Sequence, residues 1–591
     1  MKILEKLKVI FNRKEITRLV IMFFGVIAMS LLETFGVASI VPFMSVIANP
    51  DIVHENEYFL MVYRVVNFDN DVSFIIMLGV LVIILLILSN ISQGFMFWKI
   101  TSFANSYRHK ISMQLLKKYL DQPYLFFLNK NTADLGKNIL SEIDRSVSGL
   151  ILPVMMALSR VVVVLLLTIL MFIVNPIVSI AMIVVLSSSY WIIFKIVGRK
   201  LSVIGSASTV ANTGRYKIAN EALSGIKDIK LRGGEEDFLY RFSGPSRDHA
   251  NYTATTILIS SLPRYALESI AFSGIVLISL LYIAPDGSSS KVIPVISLYA
   301  LAGYRLMPAL QQIYANITQV KYNYSAFNLL IDDLMLPSYK EDNLCSALPF
   351  EEHIKVKNVS FYYPDTSVLV LDKVNITISP NTTIGLVGTT GSGKTTLVDI
   401  IIGLLPPNSG SISVDGVIVN SQNLYGWQRN IGYVPQAIYL TDDTIANNIA
   451  FAVPEEKICM QQVMHVAKLA QIDDFVNSLH NKYDTNVGDR GIRMSGGQRQ
   501  RIGIARALYL KPTILVLDEA TSALDSITEQ VIIETIRSLS HKITIIMIAH
   551  RLSTVRECDT IYVMDKGNIV DSGTYSDLIE SNLKFRQMAN N

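Results

Sequence analysis

The sequence predicts a membrane α-helical domain of six transmembrane helices fused to a soluble α/β domain of the P-loop type. Three observations predict it. Residues 1–330 carry long apolar runs. Residues 351–591 read like a soluble α/β domain. Within that second half a glycine-rich loop stands between a predicted strand and a predicted helix.

A helix needs about 20 mainly apolar residues to cross a bilayer. Six runs qualify: roughly 17–48, 73–98, 150–174, 177–198, 256–284 and 292–318. The third and fourth are joined by Asn175-Pro176, a tight turn. Several runs are longer than the minimum, so these helices should tilt or extend beyond the lipid. No cleavable signal peptide is expected, because the first run is too long for one.

Charge sets the orientation. Lys2, Lys6, Lys8, Arg13, Lys14 and Arg18 precede or open the first span, against Glu5 and Glu15. The next loop holds Asp51, Glu55, Glu57, Asp69 and Asp71 against Arg64. The bias places the N-terminus in the cytoplasm. Six spans return the chain to the same side. Two long polar connections, 99–149 and 199–255, are then cytoplasmic and helical in pattern, broken at Asp121-Gln122-Pro123 and Gly233-Gly234. Read as extensions of the spans, they would carry movement between the halves. The alternative is a pair of solvated hairpins. In the loop at 51–72, Tyr58–Tyr63 and Val65-Val66 are too apolar for a free loop. They fit a helix in the outer interface or one packed on its own spans.

Five charges fall inside the apolar runs: Glu33, Arg160, Arg264, Glu268 and Arg305. An arginine at a helix centre costs roughly 2.5–3.5 kcal/mol on insertion scales, so these should face the bundle interior or a cavity. Arg264 and Glu268 are four apart and can pair on one helix. For Arg160 and Glu33, ion pairing and a functional role stand level. For Arg264 and Arg305 the preferred reading is a cation-lined, water-filled cavity that favours an anionic ligand such as a phosphate.

Residues 331–350 read as a linker, and the soluble domain occupies 351–591, opening with a strand at His353–Phe361. The loop Gly388-Thr389-Thr390-Gly391-Ser392-Gly393-Lys394-Thr395-Thr396 matches the phosphate-binding pattern at every fixed position. A strand over 383–387 enters it and a helix over 394–405 leaves it. Backbone N–H groups and the helix N-terminus then converge on one point. Lys394 should reach the β- and γ-phosphates of ATP and the Thr395 hydroxyl should ligate Mg²⁺. Gln436, at the end of Tyr433-Val434-Pro435-Gln436, can touch Mg²⁺ and the attacking water; alone it would read as a polar loop residue. Ser495, Gly496, Gly497 and Gln498 open a further helix and offer a second anion site. Within one domain that site is redundant, so it makes sense if it serves the ATP held by another copy. The apolar run Ile514–Leu517 ends in Asp518-Glu519. A buried parallel strand would deliver both acids at its C-terminal end. There Asp518 would hold Mg²⁺ mainly through water, and Glu519 would act as general base. His550, after the strand-like run 544–549, is placed to sense the γ-phosphate; a core histidine is the alternative. Tyr363 is a candidate to stack on adenine, although Tyr362 is equally aromatic.

These elements, in this order, resemble the ATP-binding cassette transporters over 351–591. The resemblance makes Gly388–Thr396 the Walker A element, Met494–Gln498 the signature, Ile514–Glu519 Walker B, and His550 the switch histidine. It adds Asp525, in Ser522-Ala523-Leu524-Asp525, to the ATP-binding set and favours Tyr363 for adenine. Met494 stands where leucine is usual. Asp489, in the exporter-like stretch Thr485–Gly491, stands where glutamate is common. Six spans and one cassette resemble an exporter half-transporter. That implies a second copy, a homodimer, with each ATP held between the Lys394 loop of one chain and Ser495 of the other.

The membrane half is similar to a narrower group, bacterial flippases of lipid-linked oligosaccharides in protein glycosylation and surface-glycan assembly. Glu33-Thr34-Phe35, Pro263–Glu268 and Tyr304–Pro308 carry that similarity. It implies an anionic polyprenyl-pyrophosphate-linked glycan moved to the outer leaflet of the inner membrane, with Arg264 and Arg305 at the pyrophosphate and the 58–66 segment at the lipid tail. The alternatives are export of another lipid, a drug or a peptide, or an ATP-gated regulator that transports nothing. A net charge of +3 gives no reason to expect nucleic acid as a partner. Cys345, Cys459 and Cys558 fit neither a zinc site nor a disulfide framework, and read as free thiols.

Overall fold

The computed structural model describes residues 11–68, 70–174, 176–282, 292–337, 347–364, 366–519, 526–549 and 551–589. Lys2, Glu5, Lys6, Lys8, Asp69, Asn175, Cys345, Ser522, Asp525 and His550 lie outside them. The chain divides into two compact units, one of 1–122 with 127–338, the other of 123–126 with 339–591.

The first unit is helical. Its long helices are α1 (Arg13–Ala38), α2 (Asp71–Leu120), α3 (Leu152–Val174), α4 (Pro176–Ser224), α5 (Glu235–Tyr282) and α6 (Val292–Leu334). A short bend at Ser39 separates α1 from the helix Ile40–Ala48. Among the described residues, three helical stretches are long and apolar enough to cross a membrane: Arg13–Ala48, Asp71–Leu120 and Thr132–Val174. The other three candidate spans fall on α4, α5 and α6. Length explains the polar extensions. The 50 residues of α2 rise about 75 Å at 1.5 Å each, against a hydrocarbon core of about 30 Å. Proline at the first position of α4 suits a helix start, because its missing N–H has no intrahelical partner there.

The expected breaks are where the backbone turns. Helix α2 ends at Leu120, just before Asp121-Gln122-Pro123. Gly233 takes φ +64 as it closes the short helix Ile226–Arg232. Two π-helical turns, Asn138–Glu142 and Val147–Ile151, interrupt the approach to α3. Val26 and Met29 of α1, Met96 of α2, Val163 and Leu167 of α3, and Leu306 of α6 form one buried cluster. The segment forms the helix Glu57–Val66, one face of which packs on its own unit. Phe59 and Tyr63 pack on the cluster around Val46, Val53, Phe74 and Leu78. On its other face Tyr58, Met61 and Val65 are 81%, 67% and 77% exposed.

The second unit is α/β. A four-stranded antiparallel sheet has the order β2 (Leu371–Ile378), β1 (Ile354–Phe361), β4 (Ser409–Val414), β5 (Val417–Ile418). A six-stranded sheet runs β10 (Asn568–Gly573), β9 (Thr560–Asp565), β3 (Thr383–Gly388), β8 (Thr544–Ile548), β7 (Ile514–Asp518), β6 (Ile431–Val434). Its strands pair in parallel from β9 to β6, with β10 antiparallel on the edge. Every residue of β7 and β8 is buried, as continuous apolar runs in a covered parallel sheet should be. This order places the C-terminal ends of β3 and β7 one strand apart, on either side of β8. Helix α7 (Lys394–Ile401) leaves β3, and α8 (Gly496–Tyr509) lies further along the chain.

Candidate nucleotide site and membrane charges

Strand β3 delivers the glycine-rich loop at the sheet's C-terminal edge. Two of its glycines are required by space. A Cβ on Gly388 would sit 2.3 Å from Met564 O, and one on Gly393 2.8 Å from Leu371 Cδ2, where φ is also +99. Gly393 is the N-cap of α7 and supplies no side-chain cap, which leaves the first-turn N–H groups for an anion. Lys394 folds back over the loop, its Nζ donating to Gly388 O at 2.9 Å and Thr389 O at 3.1 Å. Burial holds its ammonium below the ordinary lysine range, opposed by Glu519 and Asp518. Thr395 is exposed at the loop, whereas Ser392 and Thr396 are buried. Gly391 takes φ +80, and Thr389 and Thr390 complete the turn.

Strand β7 brings the acids to the same edge. Asp518 is 6% exposed and accepts from Tyr433 Oη at 3.3 Å. Glu519 stands just beyond the strand at φ +48, with its N–H donating to Ile548 O at 3.1 Å. Gln436, beyond β6, donates from Nε2 to Glu519 Oε2 at 2.5 Å. The fold thus joins Gln436 to Glu519, and Lys394 to the field of both acids, across a wide separation in sequence. Thr395, Gln436 and Asp518 offer oxygen donors, the ligand chemistry that suits a hard cation such as Mg²⁺.

Tyr363 is the aromatic placed at the loop. Its hydroxyl is 3.0 Å from Thr396 Oγ1 and its ring stands edge-on to Phe361 at 5.1 Å. Tyr362 is 45% exposed. Ser495 caps α8 within its own chain. Its N–H donates to Gln498 Oε1 at 2.8 Å, and its Oγ accepts from Gln498 N at 3.2 Å. Ser495 and Gly496 are exposed, and Gly497 is buried. Among the described residues no hydrogen bond or ion pair joins Ser495–Gln498 to the Lys394 loop. Met494 is 8% exposed within the main apolar cluster, so methionine fills the leucine position as packing material. Two site neighbours escaped the sequence reading. Tyr433 lies in a quoted motif, but only the pairing of β6 with β7 aims it at Asp518. Asp399 sits in an apolar helical run and is 9% exposed. Burial, then the Asp518 charge, raises its pKa to about 6.

In the membrane unit, both arginines preferred as cavity-lining cations have carboxylate partners, the Arg264–Glu268 pair being the one that spacing allowed. Arg264 Nε donates to Glu268 Oε1 at 2.6 Å on the same helix. Arg305 Nη1 lies 3.6 Å from Glu33 Oε1, and its Nη2 donates to Asn90 Oδ1 at 3.2 Å. For Arg305 the physical reason is low dielectric, in which a carboxylate within reach lowers the cost of a largely buried guanidinium; Arg264 meets Glu268 because the two stand four apart on one helix. Arg264 keeps 54% of its side chain exposed, and Arg305 keeps 19%. Arg160 Nε donates to Gln312 Oε1 at 2.6 Å. Separately, α3, α4 and α6 enclose an apolar cavity of about 470 Å³ lined by Leu165, Met171, Trp191, Leu306 and Tyr314.

A P-loop ATPase unit in one chain with a unit of membrane-length helices defines the class: an ATP-driven membrane transporter. The chain belongs to the ABC transporter family. The family model of the ABC transporter transmembrane region matches residues 16–302, and the model described as ABC transporter matches 371–522. The chain is 31% identical over 507 residues to an ATP-dependent lipid A-core flippase of Cupriavidus metallidurans, covering 84% of this chain and 83% of that protein. It is 35% identical over 385 residues to the heterocyst differentiation ATP-binding protein HepA of a Nostoc species, covering 64% and 62%. A solved bacterial Atm1-family ABC exporter with ATP bound superposes with a TM-score of 0.77 at 23% identity, over 98% of both chains. The protein therefore has the exporter fold and is an ATPase-coupled membrane transporter.

Proposed function

We propose that this protein flips a polyprenyl-pyrophosphate-linked oligosaccharide from the cytoplasmic to the outer leaflet of the bacterial inner membrane, as a homodimer driven by ATP hydrolysis. The observation that carries the substrate reading is the coexistence of two features. One is the guanidinium groups of Arg264 and Arg305 within membrane helices. The other is the outward apolar face of Glu57–Val66. The first suits a phosphate-bearing headgroup and the second a hydrocarbon tail.

The chemistry of hydrolysis falls to the residues at the ends of β3 and β7. The loop Gly388–Thr396 cradles the phosphates, with Lys394 on the β- and γ-phosphates. Thr395, Gln436 and, mainly through water, Asp518 would hold Mg²⁺, which would supply positive charge against the phosphates. Glu519 takes a proton from the attacking water, Gln436 orients that water, and His550 senses the γ-phosphate. Tyr363 stacks on adenine, and Asp525 belongs to the same binding set. Ser495, Gly496, Gly497 and Gln498 of a second copy close over the ATP. The exposed start of α8 at Ser495 and Gly496 suits that role, with the Gly496 and Gly497 N–H groups left beside the Ser495–Gln498 capping box. Their lack of contact with the Lys394 loop of their own chain, among the described residues, fits a site shared between copies.

A second reading is favoured by the relatives named lipid A-core flippases. It keeps the anionic headgroup and the hydrocarbon and changes the glycolipid. Reconstituted proteoliposomes test both. Flipping of a polyprenyl-pyrophosphate glycan, with no flipping of a lipid A precursor, supports the first. The reverse result rejects it.

A further inference from the structure

An ionisable side chain inside a membrane span is costly and marks function unless its partners explain it. Glu33 of α1 is such a side chain, only 3% exposed. It is influenced from three other helices, by Arg305 of α6, Arg160 of α3 and the Gln93 amide of α2. Arg305 of α6 reaches it at 3.6 Å and also donates to Asn90 of α2 at 3.2 Å. Arg160 of α3 acts on it electrostatically, while donating to Gln312 of α6 at 2.6 Å. The described cluster therefore sets two guanidinium groups against one carboxylate.

A purely structural pair would be built differently. A guanidinium and a carboxylate locked for stability form two short parallel hydrogen bonds. Here the Arg305–Glu33 contact is longer than a hydrogen bond, and the other guanidinium nitrogen is turned to a neutral amide. Among the described residues, no second carboxylate pairs with the cluster. Such a cluster holds its arginine in place without saturating it.

We infer that Glu33 is an internal counter-ion that occupies Arg305 until the anionic group of the substrate replaces it, and so sets how tightly an anionic headgroup is held. This rests on the reading that an anionic headgroup meets Arg305. A neutral amphiphile cannot compete with Glu33 for the guanidinium. A pyrophosphate, with more than one charge and several acceptor oxygens, can. Glu33 thus competes with the headgroup for one guanidinium, and its carboxylate lowers affinity for anionic headgroups while leaving uncharged lipids unaffected.

The test uses the full chain in nucleotide-free nanodiscs, with farnesyl pyrophosphate and farnesol as probes and equilibrium binding as readout. Glu33→Gln is expected to tighten farnesyl pyrophosphate at least about fivefold and to leave farnesol unchanged. The gain should vanish in the Glu33→Gln/Arg305→Ala double variant. Glu33→Asp, which keeps the charge but shortens the reach, is the second variant and should tighten the anionic probe by a smaller factor. No tightening by whichever of the two folds, or equal tightening of both probes, overturns the inference. A wild-type protein that binds both probes alike, with Arg305→Ala without effect, instead sinks the substrate reading on which it rests.

Discussion

Replacing Asp399 by asparagine should stabilise the nucleotide-binding unit at alkaline pH and do little in acid. Asp399 is 9% exposed and lies on α7, directly after the phosphate loop. Its pKa rises from 3.8 to about 6, because burial disfavours the carboxylate and Asp518 adds a like charge. Below the unfolded value, both states hold the proton and the carboxyl costs nothing. As pH rises through 3.8 the unfolded chain ionises first, and the folded state loses ground until pH passes about 6. Two pKa steps at 1.36 kcal/mol each put the full cost at about 3 kcal/mol, reached near pH 7 and above. At pH 4 the same linkage leaves about 0.5 kcal/mol. Asparagine, which cannot ionise, removes the cost. For a domain of this size the gain at pH 8 corresponds to about 6–12 °C in Tm. Thermal unfolding of wild type and Asp399→Asn, in detergent without nucleotide at pH 4 and pH 8, measures it. An equal shift at both pH values, or none at pH 8, would refute the assignment of a buried, like-charged carboxyl.

Four further outcomes are expected. Glu519→Gln should lower ATP turnover by about 10²–10⁴-fold while binding of a fluorescent ATP analogue persists, and near-wild-type turnover would exclude Glu519 as the base. Tyr433→Phe removes the hydroxyl that donates to Asp518, so titration of Mg²⁺ should show a several-fold higher requirement at unchanged Mg²⁺-free ATP binding. Ser495→Ala removes an N-cap worth about 1 kcal/mol, a Tm loss of only a few degrees, so a much larger fall in turnover would show that the serine acts on ATP beyond capping α8. Arg264→Ala should weaken glycolipid flipping more than basal ATPase activity; its pair with Glu268 is exposed and contributes little to folding, so parallel loss of folded protein would point to a structural role instead.

The separation between what was legible in the chain and what was not follows from range. Periodicity, apolar length and motif spacing are local, so the sequence by itself determined the six membrane-length helical segments, the α/β character of the second half, and the strand–loop–helix unit around Lys394. Even the breaks at Asp121–Pro123 and Gly233-Gly234 were local, because proline and glycine constrain their own backbone. Pairings between distant residues were not legible. Only the parallel register of β6 on β7 brings Tyr433 to Asp518, and only the fold past β7 sets Gln436 against Glu519. Asp399 looked like one more polar residue on a helix until the sheet covered it beside Asp518. The membrane charges show the same limit. An apolar run reveals that Arg305 is costly, but the packing of α1 against α6 decides that Glu33 is its partner. Local sequence sets which side chains carry the chemistry; tertiary structure decides which meet, because burial and charge act through space rather than along the chain.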